Sequence, residues 1–222
     1  MKQKVLILFL IASFGSQAQT INGRLKQHAG QQITLTGFNY YDSSLLNKTV
    51  VDSLGYFTLS YPKDYIGMGV LQTQDNSSLV LLLLQKNSTI KGAHLQQTDS
   101  LMFINSIDNT NLMDYTIMQS LSNDASSAWR YLEHLYANES LFGELKEVKK
   151  MVRKEQERIA KKEDDFIGNL DHDSYLRWFI NYRKRVQEMP IIAREQAEHI
   201  PEFITHFRST DLSHAYFKTS GF

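Results

Sequence analysis

Asp52-Ser53-Leu54-Gly55-Tyr56-Phe57 lies between two β-rich runs: Val50 and Val51 lead in, and Thr58, Leu59 and Ser60 lead out. Gly55 can supply the positive φ that a tight turn needs. The pattern predicts a β-hairpin, Thr49 to Asp52 against Tyr56 to Ser60, at the centre of a sheet. Working outward, Ile21 to Leu25 reads as a first strand, closed by a turn at Ala29-Gly30. Ile33 to Thr36 alternates apolar and polar towards Tyr40 and Tyr41, and Asp42-Ser43-Ser44 is expected to end that strand. Met68 to Thr73, Leu79 to Leu84, Ile90, and Leu101 to Ile104 supply further strands, with Asp75-Asn76-Ser77 as a turn.

Composition changes near residue 106. Eight of the eleven glycines precede residue 93, and only 11 of the 48 charged residues fall in 19–106, against 35 in 107–222. The expected fold class is therefore α+β: an N-terminal antiparallel β-sandwich over 19–106, then a helical domain over 107–222. In the second half, Asn111 to Leu121 predicts a short helix. Ser122-Asn123-Asp124 offers caps for a longer one from Ala125, and Asn138, Ser140 and Gly143 are expected to divide it. Leu145, Val148, Val152, Ile159 and Phe166 form one apolar stripe, but Glu155 and Lys162 at the alternate positions disfavour a coiled coil. Asp171 to Ser174 should cap a helix from Tyr175 to about Glu188. Pro190 and Pro201 each suit the first turn of a new helix, and Asp211 to Phe222 reads as a loose tail.

Lys2 and Lys4 precede an apolar run from Val5 to Phe14, followed by Ser16-Gln17-Ala18. This is the pattern of a cleavable secretory signal over 1–18, with cleavage near Ala18. The run is too short for a stable membrane span. The expected location is extracytoplasmic, with no stable membrane insertion after cleavage. Lys plus Arg equals Asp plus Glu at 24 each, which gives no electrostatic case for nucleic acid. The chain has no cysteine, so it carries no thiol nucleophile, thiolate ligand or redox pair.

Candidate chemistry is sparse. Glu195, His199, Glu202 and His206 step by four, three and four, as metal ligands on a helix can, but Pro201 interrupts them and a solvated polar face is favoured. Asp171-His172-Asp173 sets two acids beside an imidazole, yet neighbours in a turn point apart and a helix cap explains the acids. Trp178, Phe179 and Tyr182, and Trp129, Leu132 and Tyr136, are aromatic stripes better suited to packing than to a ligand. Arg183-Lys184-Arg185 reads as the wet face of a helix. No serine sits in a nucleophile-elbow sequence, and no phosphate-cradling glycine loop is present. No catalytic, cofactor-binding or metal residue is therefore assigned.

Ile21-Asn22-Gly23, Val51-Asp52 through Gly55-Tyr56-Phe57, Gly67-Met68 and the apolar Leu79 to Leu84 occur in that order. The series resembles the N-terminal sandwich domain of unknown function that precedes thioredoxin-like modules in secreted bacterial proteins. Ile200-Pro201-Glu202-Phe203, Phe207 and Asp211-Leu212-Ser213-His214 are similar to the segment leading into such a module. The resemblance implies the non-catalytic part of a thiol–disulfide oxidoreductase, cut before its thioredoxin fold. The implied partner is that module, another protein, or a second copy of the chain, docked on the sandwich and helices. From a different class, a self-standing secreted β-sandwich binding module fits the same composition.

Overall fold

A computed structural model describes residues 18–84, 86–137, 146–195, 197–209 and 213–221. The segment read as a signal lies outside them, apart from Ala18, as does the expected break at Asn138, Ser140 and Gly143. The eight strands are β1 (Gln19–Leu25), β2 (Gln32–Asn39), β3 (Asp42–Val50), β4 (Tyr56–Tyr61), β5 (Gly67–Thr73), β6 (Ser78–Leu83), β7 (Ser88–Gly92) and β8 (Met102–Ile104). The helices follow: α1 (Ile107–Ala137), α2 (Lys146–Gly168), α3 (Tyr175–Glu195) and α4 (Ile200–Arg208). The fold is α+β, with two sheets first and helices after. Among the described residues no helix is long and apolar enough to cross a membrane.

The sheets run β4-β1-β7-β8 and β3-β2-β5-β6. Their facing sides share one core, in which Ile21, Leu59 and Ile90 of the first sheet meet Leu35, Leu71 and Leu81 of the second. Pairing is antiparallel except between β1 and β7, which run parallel with Ile21 opposite Ser88. That pair departs from the all-antiparallel expectation. A second core lies on the outer side of β5 and β6, where Met68 and Leu82 meet Leu112 and Tyr115 of α1, Ile167 of α2 and Leu176 and Ile180 of α3. From Leu81 to Leu83 β6 is thus covered on both faces, which suits an unbroken apolar run there, whereas Val80 on the outer face stays half exposed.

The central hairpin does not form. Its turn is present: the Asp52 carboxylate accepts the Leu54 and Tyr56 N–H groups at 2.9 and 2.7 Å, and Gly55 has φ +88°. However, β3 pairs with β2 and β4 with β1, so the turn carries the chain from one sheet to the other. The Leu25 N–H donates to the Gly55 carbonyl at 2.8 Å. A Cβ on Gly55 would lie 2.9 Å from the Lys26 Cα. That crowding and the positive φ both demand glycine. Asn47 Nδ2 ties β3 to β4 by donating to the Ser60 carbonyl at 2.9 Å and to its Oγ at 2.7 Å.

Asp42-Ser43-Ser44 does not end a strand; it opens β3, after a tip at Tyr40-Tyr41 where Tyr40 has φ +56°. β3 is an edge strand, largely exposed, so polar residues suit both its faces. Three helical expectations also change. α1 runs unbroken through Ser122-Asn123-Asp124, because these residues sit at exposed or half-buried positions where weak propensity costs little. Pro190 lies inside α3, which continues to Glu195; Pro201 starts α4 as expected. The tail is not loose over 213–221. Ala215–Thr219 forms a 3-10 turn with Phe217 and Ser220 buried. Tyr40 N–H donates to the Lys218 carbonyl at 2.6 Å and the Tyr175 hydroxyl to the Thr219 carbonyl at 3.3 Å. Thr219 rests directly on Gly67, where a Cβ would come within 2.2 Å of its own.

Candidate functional site

Three loops at one end of the sheets bring together His28, Asp75 and His94, side chains far apart in sequence. His28 ends the 3-10 turn after β1, Asp75 sits in the turn between β5 and β6, and His94 follows β7. His28 is completely buried, Asp75 is about one-third exposed at 37% and His94 is 21% exposed. Their ligand atoms all lie within 4.8 Å of one another. The two rings are 4.2 Å apart, tilted by 35°.

The backbone fixes the protons. His28 Nε2 accepts the Leu95 N–H at 3.2 Å. A nitrogen that accepts carries no proton, so the neutral ring carries it on Nδ1. Nδ1 faces Gln31 Oε1 at 3.3 Å and Asp75 Oδ2 at 3.5 Å. His94 repeats the arrangement: Nδ1 accepts the Gln96 N–H at 3.2 Å, and Nε2 faces Ser77 Oγ at 3.4 Å and Asp75 Oδ2 at 3.6 Å. The other carboxylate oxygen accepts the Thr73 hydroxyl at 2.7 Å and the Ser77 N–H at 3.0 Å. The Thr73 and Ser77 bonds hold the Asp75 carboxyl well below the usual carboxylate range.

The spacing suits a transition metal, since ligands about 2.0–2.2 Å from a cation lie some 3.5 Å apart. The protonation does not suit one. Both nitrogens that face Asp75 carry hydrogen, and ligation would break a backbone N–H···N bond at each ring. A hydrolytic triad is excluded on geometry as well. Such a triad places its serine and its acid on opposite imidazole nitrogens, whereas Ser77 and Asp75 both meet Nε2 of His94. The cluster is a carboxylate clasp that joins three loops.

Its acid dependence follows from linkage. Because the folded-state value of Asp75 is depressed, its ionised form adds stability fully above the unfolded carboxylate value of about 4, and that contribution is lost as pH falls towards the folded value. The urea midpoint should therefore hold from neutral pH to about pH 4 and fall below it. In Asp75→Asn the midpoint should be lower at pH 7 and the acid-side fall shallower. Identical profiles for the two proteins would refute the clasp.

The sequence candidates are scattered. Glu195 ends α3, His199 lies in a separate 3-10 turn, and Glu202 and His206 belong to α4, so the four share no helix. His199 Nδ1 is 3.6 Å from Glu202 Oε2 on the surface. Asp171, His172 and Asp173 form an exposed turn; His172 Nδ1 lies 3.0 Å from Asp173 Oδ1. Ser174, not an aspartate, caps α3 by accepting the Arg177 N–H at 3.2 Å. Phe179 is buried in the second core, and Trp178 is enclosed by Tyr182, His214, Tyr216 and Phe217. Trp129, Leu132 and Tyr136 lie half-buried along α1.

Lys184 departs from the wet-face expectation. It reaches Asp164 Oδ1 at 2.9 Å and Glu163 Oε2 at 3.6 Å on α2. Glu163 also accepts the Tyr115 hydroxyl at 3.0 Å and the Gln119 amide. Burial first, and then the Glu163 charge, push the Tyr115 hydroxyl far up from its usual value. This network joins α1, α2 and α3.

Two of the cavities on the surface bear on binding. One, of about 410 Å³, lies between the end of β6, the sheet formed by β7 and β8, and the start of α1. The other, of about 450 Å³, is an apolar groove between the later part of α3 and α4. No protein-family model, curated protein or solved structure matches this chain.

Proposed function

We propose that this chain is the non-catalytic region of an extracytoplasmic thioredoxin-like thiol–disulfide oxidoreductase, and that its helices dock the thioredoxin module. One observation carries the docking reading: the open apolar groove of about 450 Å³ on α3 and α4, lined by Met189, Ile192, Ile200, Phe203, Ile204 and Phe207. Met189 and Ile204 remain 39% and 42% exposed, an apolar surface that favours a partner. Phe203 and Phe207 belong to the segment whose sequence is similar to the lead-in of a thioredoxin fold. With no cysteine in the chain, thiol exchange must come from the docked module. The basic start and apolar run of residues 2–14 support export.

Reading the gene beyond codon 222 tests the proposal. A thioredoxin-type sequence with a Cys-x-x-Cys is expected; a stop codon directly after Phe222 would overturn it. The purified chain should also leave the rate of insulin reduction by dithiothreitol at the blank value. Turnover by this chain alone would equally overturn a non-catalytic role.

A further inference from the structure

The cavity at the start of α1 is independent of the docking groove and has the chemistry of a binding site. Its walls combine three kinds of group. Leu82, Leu84 and Phe103 give it an apolar side. Lys86 and Asp108 line it with opposite charges, and among the described residues neither is ion-paired. The first N–H groups of the 31-residue helix α1 begin beside it, and such groups have no intrahelical acceptor.

Ser88 is the second observation. It is 6% exposed, on the same face of β7 as Ile90, whose side chain is in the core between the sheets. It also lines the cavity. Among the described residues its hydroxyl has no hydrogen-bond partner. No fully enclosed side-chain polar atom there is left unsatisfied, so this hydroxyl must open onto the cavity. A buried hydroxyl left without a protein partner is matched by a ligand or solvent group. The Tyr61 hydroxyl fixes the wall by donating to the Leu84 and Lys86 carbonyls.

We propose that this cavity binds a small zwitterion with an apolar side chain, a free apolar amino acid. Its carboxylate meets Lys86 and the N-terminus of α1, its ammonium meets Asp108, and its side chain packs on Leu82, Leu84 and Phe103. The Ser88 hydroxyl donates to the carboxylate. The volume of about 410 Å³ lies within the usual range for small-molecule sites, about 300–1,000 Å³. A simple anion suits the site less well, because Asp108 would repel it.

Calorimetric titration of the full chain with L-leucine, N-acetyl-L-leucine and L-leucinamide tests this. L-leucine should bind, and each derivative, lacking one charge, should bind at least about tenfold more weakly. Lys86→Ala should weaken L-leucine about tenfold without weakening L-leucinamide, which has no carboxylate for Lys86 to meet. Asp108→Asn should weaken L-leucine to the same degree without weakening N-acetyl-L-leucine, whose lone carboxylate loses a repelling neighbour. Both side chains reach the surface, and circular dichroism of each variant checks the fold. No heat with L-leucine at millimolar concentration would overturn the proposal. So would equal binding of all three compounds, or variants that weaken all three alike.

Discussion

Asn109→Leu should lower the stability of this protein by about 3 kcal/mol, the cost of stranding two buried backbone groups. β6 is the edge of its sheet, and an edge strand leaves one row of N–H and C=O groups unpaired. The Asn109 amide takes the place of a missing strand. Its Oδ1 accepts the Leu82 N–H at 2.7 Å, and its Nδ2 donates to the Leu82 carbonyl at 2.9 Å and to Ser106 Oγ at 2.8 Å. Asn109 is 2% exposed, as is Leu82, so water cannot substitute for these bonds. Leucine is close in size but supplies no polar atom. Urea unfolding should show a lower midpoint with an unchanged slope. A midpoint within error of the parent protein would refute this role.

Gly23→Ala should be nearly as damaging, at about 2–3 kcal/mol, through overpacking. Gly23 lies directly opposite Phe57 on β4, and the phenyl ring lies over it. An added Cβ would fall 2.0 Å from Phe57 Cζ. Phe57 is only 5% exposed, so the ring has nowhere to swing without displacing the core between the sheets. A double-mutant cycle with Phe57→Leu separates this clash from any loss of strand propensity. With leucine at 57, Gly23→Ala should cost less than about 1 kcal/mol, and the coupling should be large. Additive costs would show that ring and glycine do not conflict.

Asn109 and Gly23 also mark where the sequence is readable. Seven of the eight strands and the sheets-then-helices order follow from short apolar runs, alternation and turn residues. β6 is plain because its residues are apolar without a break from Leu79 to Leu84. β3 is obscure because an exposed edge strand tolerates polar residues on both faces, and its Asp-Ser-Ser start looks like a turn. The Asp52–Gly55 turn is legible from Gly55, but local signals cannot say whether the strand it leads to lies in the same sheet or the one opposite. The His28, Asp75 and His94 clasp left no motif, since its members are 47 and 19 positions apart. Asn109 reads as a loop residue ahead of the helix expected from Asn111, and only the structure places it in the first turn of α1 beside Leu82. The charges of Lys86 and Asp108 carry no pattern either; only the meeting of β6, β7 and α1 makes them neighbours.

The parallel pairing of β1 with β7 has a kinetic consequence. The strand made first on the ribosome sits in the interior of its sheet, between β4 and β7, and the second of those partners is synthesised 67 residues later, as Ile21 opposite Ser88 shows. Until residue 88 emerges, β1 can mate along one side only. Closing so long a loop is a slow, non-local event, so any nascent piece ending ahead of β7 should be sticky and dependent on holdase protection.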